Sequence, residues 1–176
     1  HDSQRSRGDI LQEMLRNWQV MQESIERGIQ STERSLSGMT GGDAKKLYAY
    51  REQGYMGEAA VAAAAYAVGI SEVNAVMGRI VACPTAGSCG IVPAALYAAK
   101  KQRHLADADI VLALLTAAGI GMVIDQNASI AGAAGGCQAE CGTAAGMAAA
   151  ALVELADGTP AMIGNAAALA IKNLLG

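Results

Sequence analysis

Asn127-Ala-Ser-Ile-Ala-Gly-Ala-Ala-Gly-Gly-Cys137-Gln-Ala-Glu-Cys141-Gly-Thr-Ala-Ala-Gly-Met147 is built almost entirely from small residues. Gly132, Gly135, Gly136, Gly142 and Gly146 alternate with alanines, so the backbone can approach a neighbouring helix or a ligand with little side chain between. Ser129, Cys137, Gln138, Glu140 and Cys141 stand in that stripped ground. A hydroxyl, two thiols, an amide and a carboxylate gathered where bulk has been removed point to a site more than to a core.

The preference for small side chains extends outward over the whole chain. Hydrophobic residues make up 52% of it, yet there is no Phe and one Trp, so Ala, Gly, Leu, Ile, Val and Met must fill the interior. Such side chains suit closely spaced helices, whereas sheets recruit more β-branched and aromatic residues. The sequence therefore predicts an all-α fold, and 176 residues suffice for a single compact helical domain with Gly/Ala-rich buried helices and glycine-rich loops. A net charge of -3 leaves no electrostatic footprint for nucleic acid, so small substrates and protein partners remain.

The apolar run Ile110 to Ile124 is shorter than the roughly 20 residues a membrane span needs, and it reads as a fully buried helix. The polar opening His1 to Asp9 lacks an apolar signal region, and four cysteines without a secretory context suggest thiols or metal ligands sooner than disulfides. A cytoplasmic location is expected. A start at His1 and an end directly after a helical Ala166 to Leu175 run read as a fragment of a longer polypeptide.

Toward the N-terminus, Ile10, Leu11, Met14, Leu15, Trp18, Met21, Ile25 and Ile29 recur at spacings of three and four, which predicts an amphipathic helix from Asp9 to about Thr32. Asp9 or Ser6 would cap it. A glycine-rich connector, Ser35 to Asp43, leads to a short helix over Ala44 to Arg51, with Asp43 as its cap. Thr40, Gly41 and Gly42 there could offer backbone N–H groups to an anion such as an amino-acid carboxylate. Met56 to Val68 predicts a buried helix ended by Gly69, and Ser71 would cap another over Glu72 to Val81.

Cys83-Pro-Thr-Ala-Gly-Ser-Cys-Gly-Ile-Val-Pro93 is a second candidate site. Pro84, Gly87 and Gly90 break a helix through its middle, while Thr85, Ala86, Gly87 and Ser88 form a polar loop opening onto a helix from Ala94 to Lys101. Pro93 fits the first turn of that helix. His104 reads as a surface residue and Asp107 as the next cap. Ala144 to Ala156 predicts a further helix broken by Gly158, and Thr159-Pro160 opens the last one.

Cys83, Cys89, Cys137 and Cys141 match neither the short knuckles of structural zinc nor a ferredoxin run. On a helix Cys137 and Cys141 would share a face. Cys137, preceded by two glycines and flanked by Gln138 and Glu140, ranks first as a metal ligand.

Ser37-Gly-Met-Thr-Gly-Gly-Asp43, Asn74-Ala-Val-Met-Gly78, Pro84-Thr-Ala-Gly-Ser88, Asn127-Ala-Ser-Ile130 and Gly135-Gly-Cys-Gln-Ala-Glu140 together resemble the catalytic domain of iron-sulfur L-serine dehydratases, the alpha chain of the two-subunit bacterial form. The resemblance covers nearly the whole chain and implies a helical fold. It implies conversion of L-serine to pyruvate and ammonia with an oxygen-sensitive four-iron four-sulfur (4Fe-4S) cluster and no pyridoxal phosphate. Cys137 corresponds to a cluster ligand, and the family's other two cysteine ligands lie in a C-terminal segment beyond Gly176, so the chain by itself is expected to lack the cluster. Cys83, Cys89 and Cys141 do not fall on ligand positions.

The carboxylate and ammonium of serine need fixed partners, for which the candidates are Thr40, Gly41, Gly42, Thr85, Ala86, Gly87, Ser88 and Ser129. Lys45 is a candidate base for the α-proton, and Glu140 would orient the cluster ligand or the substrate ammonium. A beta chain, self-association or both are implied. Two other readings compete: a cysteine-based metal or redox protein using all four thiols, in which Cys83 and Cys89 are essential, and a non-catalytic helical subunit that binds no small molecule at its loops.

Overall fold

Both N-terminal cap candidates take part in starting the first helix. In the computed structural model, which describes residues 5–174, Ser6 is the N-cap of α1 (Arg7–Gly28). Its hydroxyl accepts the Asp9 N–H at 3.1 Å, and the Asp9 carboxylate accepts the Ser6 N–H at 3.1 Å. This reciprocal pair satisfies two donors of the open first turn. The apolar stripe then buries Trp18, Met21 and Ile25. The buried Trp18 indole N–H donates to Asp107 Oδ1 at 2.7 Å, and Lys100 grips the same carboxylate.

Seven more helices follow among the described residues: α2 (Asp43–Ala49), α3 (Glu58–Ala75), α4 (Ile91–Arg103), α5 (Asp107–Asn127), the single turn α6 (Gly132–Gly135), α7 (Cys137–Glu154) and α8 (Pro160–Asn173). No strand occurs among the described residues, as the all-α reading expected. The first four residues of the polar opening, His1 to Gln4, and the end at Leu175 and Gly176 lie outside the described residues. α3 packs on α1, α2 and α4, while α7 packs on α4, α5 and α8, so α4 joins the two groups. Trp18, Ile25, Ile70, Leu96 and Ile110 fill the core between them. Tyr66 meets Tyr97 edge to face at 4.9 Å, the favoured aromatic geometry.

Gly69 does not end a helix, and Ser71 does not begin one. α3 runs unbroken through both, and the Ser71 hydroxyl bonds back to the Ala67 carbonyl at 3.1 Å. The glycine serves packing instead, because Gly28 of α1 and Gly69 meet backbone to backbone. A Cβ at Gly28 would fall 2.4 Å from the Gly69 carbonyl carbon. α3 ends at Ala75, short of the expected Val81. Met77 turns left-handed at φ 60°, with Met77 N–H on Asn74 O at 3.1 Å and Gly78 N–H on Val73 O at 2.8 Å. That is a Schellman stop, which closes the last carbonyls.

Asp107 is the first residue of α5 and not its cap; Asp109 closes this end by accepting the Ala106 N–H at 3.0 Å. α5 is not fully buried either. Ile110, Ala113, Leu114 and Ala117 face the core, while Met122 and Val123 are 64% and 56% exposed. It is also the one helix among the described residues long and apolar enough to cross a membrane. α7 begins at Cys137, seven residues before the expected Ala144, so the cysteine motif is helical. Thr159 caps α8 by accepting the Met162 N–H at 3.4 Å, as the Thr-Pro pair predicts.

Candidate functional site

The two polar loops named from the sequence face each other across one cavity of about 350 Å³. Thr40 and Asp43 line one side, Gly87, Ser88 and Gly90 another, and Ser71 and Glu72 of α3 form the floor between them. Cys141 of α7 completes the wall. Segments separated by a hundred residues thus meet because α3, α4 and α7 pack side by side.

The turn at Ala86–Ser88 is held from within and from outside. The Ser88 hydroxyl donates to the Cys83 carbonyl at 3.2 Å, across a segment with a cis Cys83–Pro84 peptide bond, and Asn74 Nδ2 donates to Ala86 O at 3.1 Å. Thr85 Oγ1 donates to Glu140 Oε1 at 2.8 Å, which ties this loop to α7. Glu140 is wedged between two glycines: a Cβ at Gly87 would fall 2.6 Å from Oε2, and one at Gly132 would fall 2.7 Å from Cδ. Those glycines make room for the carboxylate.

Cys137 opens α7 after Gly136, whose φ of 74° is a conformation suited to glycine. Its thiol is exposed, and its Sγ lies 3.7 Å from that of Cys141 one turn on. Burial pushes the Cys141 thiol above its ordinary value, with the Cys137 hydrogen bond and the charges of Cys137 and Glu140 adding to it. Cys83 and Cys89 are buried in the main core. Burial pushes Cys83 up to about 12 and Cys89 upward as well. Among the described residues no three His, Cys, Asp or Glu side chains gather to hold a metal ion, so the four thiols do not form one site.

The remaining candidates are dispersed. Gly42 N–H is already engaged by Glu72, and Gly41, at φ 133°, sits so tightly that a Cβ would lie 2.2 Å from the Glu33 carbonyl oxygen. Lys45 is exposed and faces a separate cleft with Thr32, Arg34 and Lys46. Ser129 accepts the Ala131 N–H at 3.3 Å and lines a third, largely apolar groove with Asn127, Gln138 and Ile171. His104 is an exposed, left-handed C-cap of α4.

Glu72 was missed from the sequence. It is 6% exposed, and its carboxylate accepts the N–H groups of Gly42 at 3.1 Å, Asp43 at 2.8 Å and Ala44 at 3.4 Å. Charge-assisted bonds to three backbone donors do the work expected of an Asp43 cap. The available signal was a lone acid within the apolar Val61 to Val73 stretch of α3, opposite a glycine loop that needs an anion.

The architecture is that of an all-helical domain presenting an exposed helix-start thiol beside a hydroxyl- and carboxylate-lined cavity. The model of the family "Serine dehydratase alpha chain" matches residues 1–176, and the chain belongs to that family. It is 46% identical over 176 residues to the probable L-serine dehydratase alpha chain of Bacillus subtilis, covering 99% of this chain and 58% of that protein. It is 46% identical over 159 residues to the L-serine dehydratase alpha chain of Peptoniphilus asaccharolyticus, covering 89% and 54%. With the L-serine dehydratase TdcG of Escherichia coli it shares 40% identity over 181 residues, covering 98% of this chain and 39% of that protein. The chain spans about half the length of the curated relatives it matches.

Proposed function

We propose that the protein carrying this chain converts L-serine to pyruvate and ammonia with the help of an iron-sulfur cluster. The observation that carries the reading is the convergence of Thr40 and Asp43, the Gly87 and Ser88 turn and Cys141 on one cavity, one helical turn from the exposed Cys137. Family membership supports the same chemistry, since the relatives are named as L-serine dehydratases.

The donor set fits one corner of a 4Fe-4S cluster. Cys137 is the donor this chain supplies, exposed at a helix start with no core packing to hold its thiol back. Further ligands would come from elsewhere in the protein. Bound there, such a cluster supplies a Lewis acid for the substrate hydroxyl, which is too poor a leaving group to depart unaided.

The chain's own residues bind and orient. Gly87 and Ser88 let the substrate approach backbone closely. Thr85 fixes the rotamer of Glu140 beside that turn, so of the two catalytic candidates Glu140 stands near the cavity and Lys45 does not. A base removes the α-proton, the β-hydroxyl departs as water, and the resulting aminoacrylate tautomerises and hydrolyses to pyruvate and ammonia. Four free thiols suit a reducing cytoplasm. The alpha-chain naming of the relatives supports a beta-chain partner, self-association or both.

The test is pyruvate and ammonia release from L-serine by the full-length protein with its partner, reconstituted without oxygen. Equal amounts of both products are expected. A protein that holds a cluster yet neither binds nor converts L-serine would refute the reading.

A further inference from the structure

The glycine loop before α2 reads from the sequence as a receptor for the substrate carboxylate. In the structure that receptor is filled. Both oxygens of Glu72 are taken up by the N–H groups of Gly42, Asp43 and Ala44, the donors a free helix start would offer to an anion. Asp43 and Glu72 are the charged residues lining the cavity, and no lysine or arginine lines it. Lys46 pairs with Asp43 Oδ1 at 3.0 Å, but from the solvent side, where both side chains are well exposed. A second carboxylate at this wall would meet like charge in a partly desolvated pocket.

We infer that Glu72 is a specificity-determining residue of the cavity: by closing the start of α2 it makes this wall anionic, so the substrate's ammonium group, and not its carboxylate, faces Glu72 and Asp43. The inference rests on the serine-converting function proposed above and adds the orientation of the substrate within it. Glu72 also holds Gly42 to Ala44 against α3, so one side chain both shapes the wall and sets its sign.

The experiment compares L-serine with glycerate, in which a hydroxyl replaces the ammonium, on the full-length protein reconstituted without oxygen. The KM and kcat for L-serine and the inhibition constant for glycerate are measured for the wild type, Glu72→Gln and Asp43→Asn. Loss of one charge-assisted contact made in both ground and transition states raises KM and leaves kcat alone. Glu72→Gln is expected to raise the L-serine KM at least about tenfold with kcat within about threefold, while glycerate binds within about threefold of wild type. Equal weakening of L-serine and glycerate, or a loss in kcat alone, would overturn the inference and leave a structural role for Glu72. Should Glu72→Gln fail to fold, Asp43→Asn, which keeps all three backbone contacts of Glu72, must show the same selective rise in L-serine KM or the inference falls. A wild-type protein that does not convert L-serine at all overturns the functional reading first, and the orientation with it.

Discussion

Gly28→Ala and Gly69→Ala add the same methyl group to opposite sides of the α1–α3 crossing, and they should differ sharply. A Cβ at Gly28 falls 2.4 Å from the Gly69 carbonyl carbon and oxygen and 2.5 Å from its Cα, all of them backbone atoms that cannot rotate away. Ordinary carbon contacts lie at about 3.5–4.0 Å, so the two helices must part by roughly 1 Å. A Cβ at Gly69 lies 3.1 Å from the Gly28 carbonyl carbon, a shortfall of only about 0.4 Å. Overpacking costs about 1–3 kcal/mol or more, and alanine gains up to about 1 kcal/mol over glycine inside a helix. Gly28 is the last residue of α1, where that gain is smallest. Gly28→Ala should therefore destabilise by about 3 kcal/mol, and Gly69→Ala should stay within about 1 kcal/mol of wild type. Urea unfolding of the full chain, followed by far-UV circular dichroism, reads both as midpoint shifts at constant slope. A Gly28→Ala midpoint equal to wild type, or Gly69→Ala as the more damaging change, would refute the close-crossing argument.

Asp107→Asn should cost about 1–3 kcal/mol, because it loosens the partner of the buried Trp18 indole and of Lys100. Lys100 first, and then Trp18, hold the Asp107 carboxyl below its ordinary value. Its contribution is therefore full above the unfolded carboxylate range and lost as pH falls through the lower folded value, so the stability gap between wild type and Asp107→Asn should shrink in acid. Thiol labelling of the native protein without metal should modify the exposed Cys137 first and the buried Cys83 last, with the order collapsing in denaturant. Thr85→Val removes the hydroxyl that aims Glu140 and should lower kcat by about tenfold to a hundredfold, with an unfolding midpoint near wild type. An unchanged kcat would separate Glu140 from the chemistry.

Much of the fold was legible because helix spacing and caps are local. Ile10 through Ile29 marked one face of α1, and Thr159-Pro160 marked the start of α8. Gly69 misled because a glycine within an alanine run signals a stop by propensity alone, whereas its role depends on Gly28 forty-one positions away. The exposed face of α5 was hidden for the opposite reason. Its apolar residues surround the helix, so periodicity could not say which side meets the core. Met77, and not the neighbouring Gly78, took the left-handed position that closes α3, so the stop came several residues before the expected Val81. At the site, the loops at Thr40 and Thr85 were recognisable from hydroxyls among glycines, and the structure brings Thr40, Gly87 and Ser88 to one cavity. Glu72 was not recognisable, since its partners Gly42, Asp43 and Ala44 lie about thirty residues away in sequence and meet it only once α2 docks on α3.

The most direct test of the proposed chemistry is anaerobic iron-sulfide reconstitution of the full-length protein and its Cys137→Ala and Cys83→Ala variants. The visible thiolate-to-iron charge-transfer absorption is recorded before and after L-serine is added. Wild type and Cys83→Ala should build the same cluster and show a spectral change with L-serine, while Cys137→Ala should fail to retain it. A cluster that survives the loss of Cys137, or one whose spectrum ignores saturating L-serine, would contradict a serine-binding iron-sulfur site beside α7.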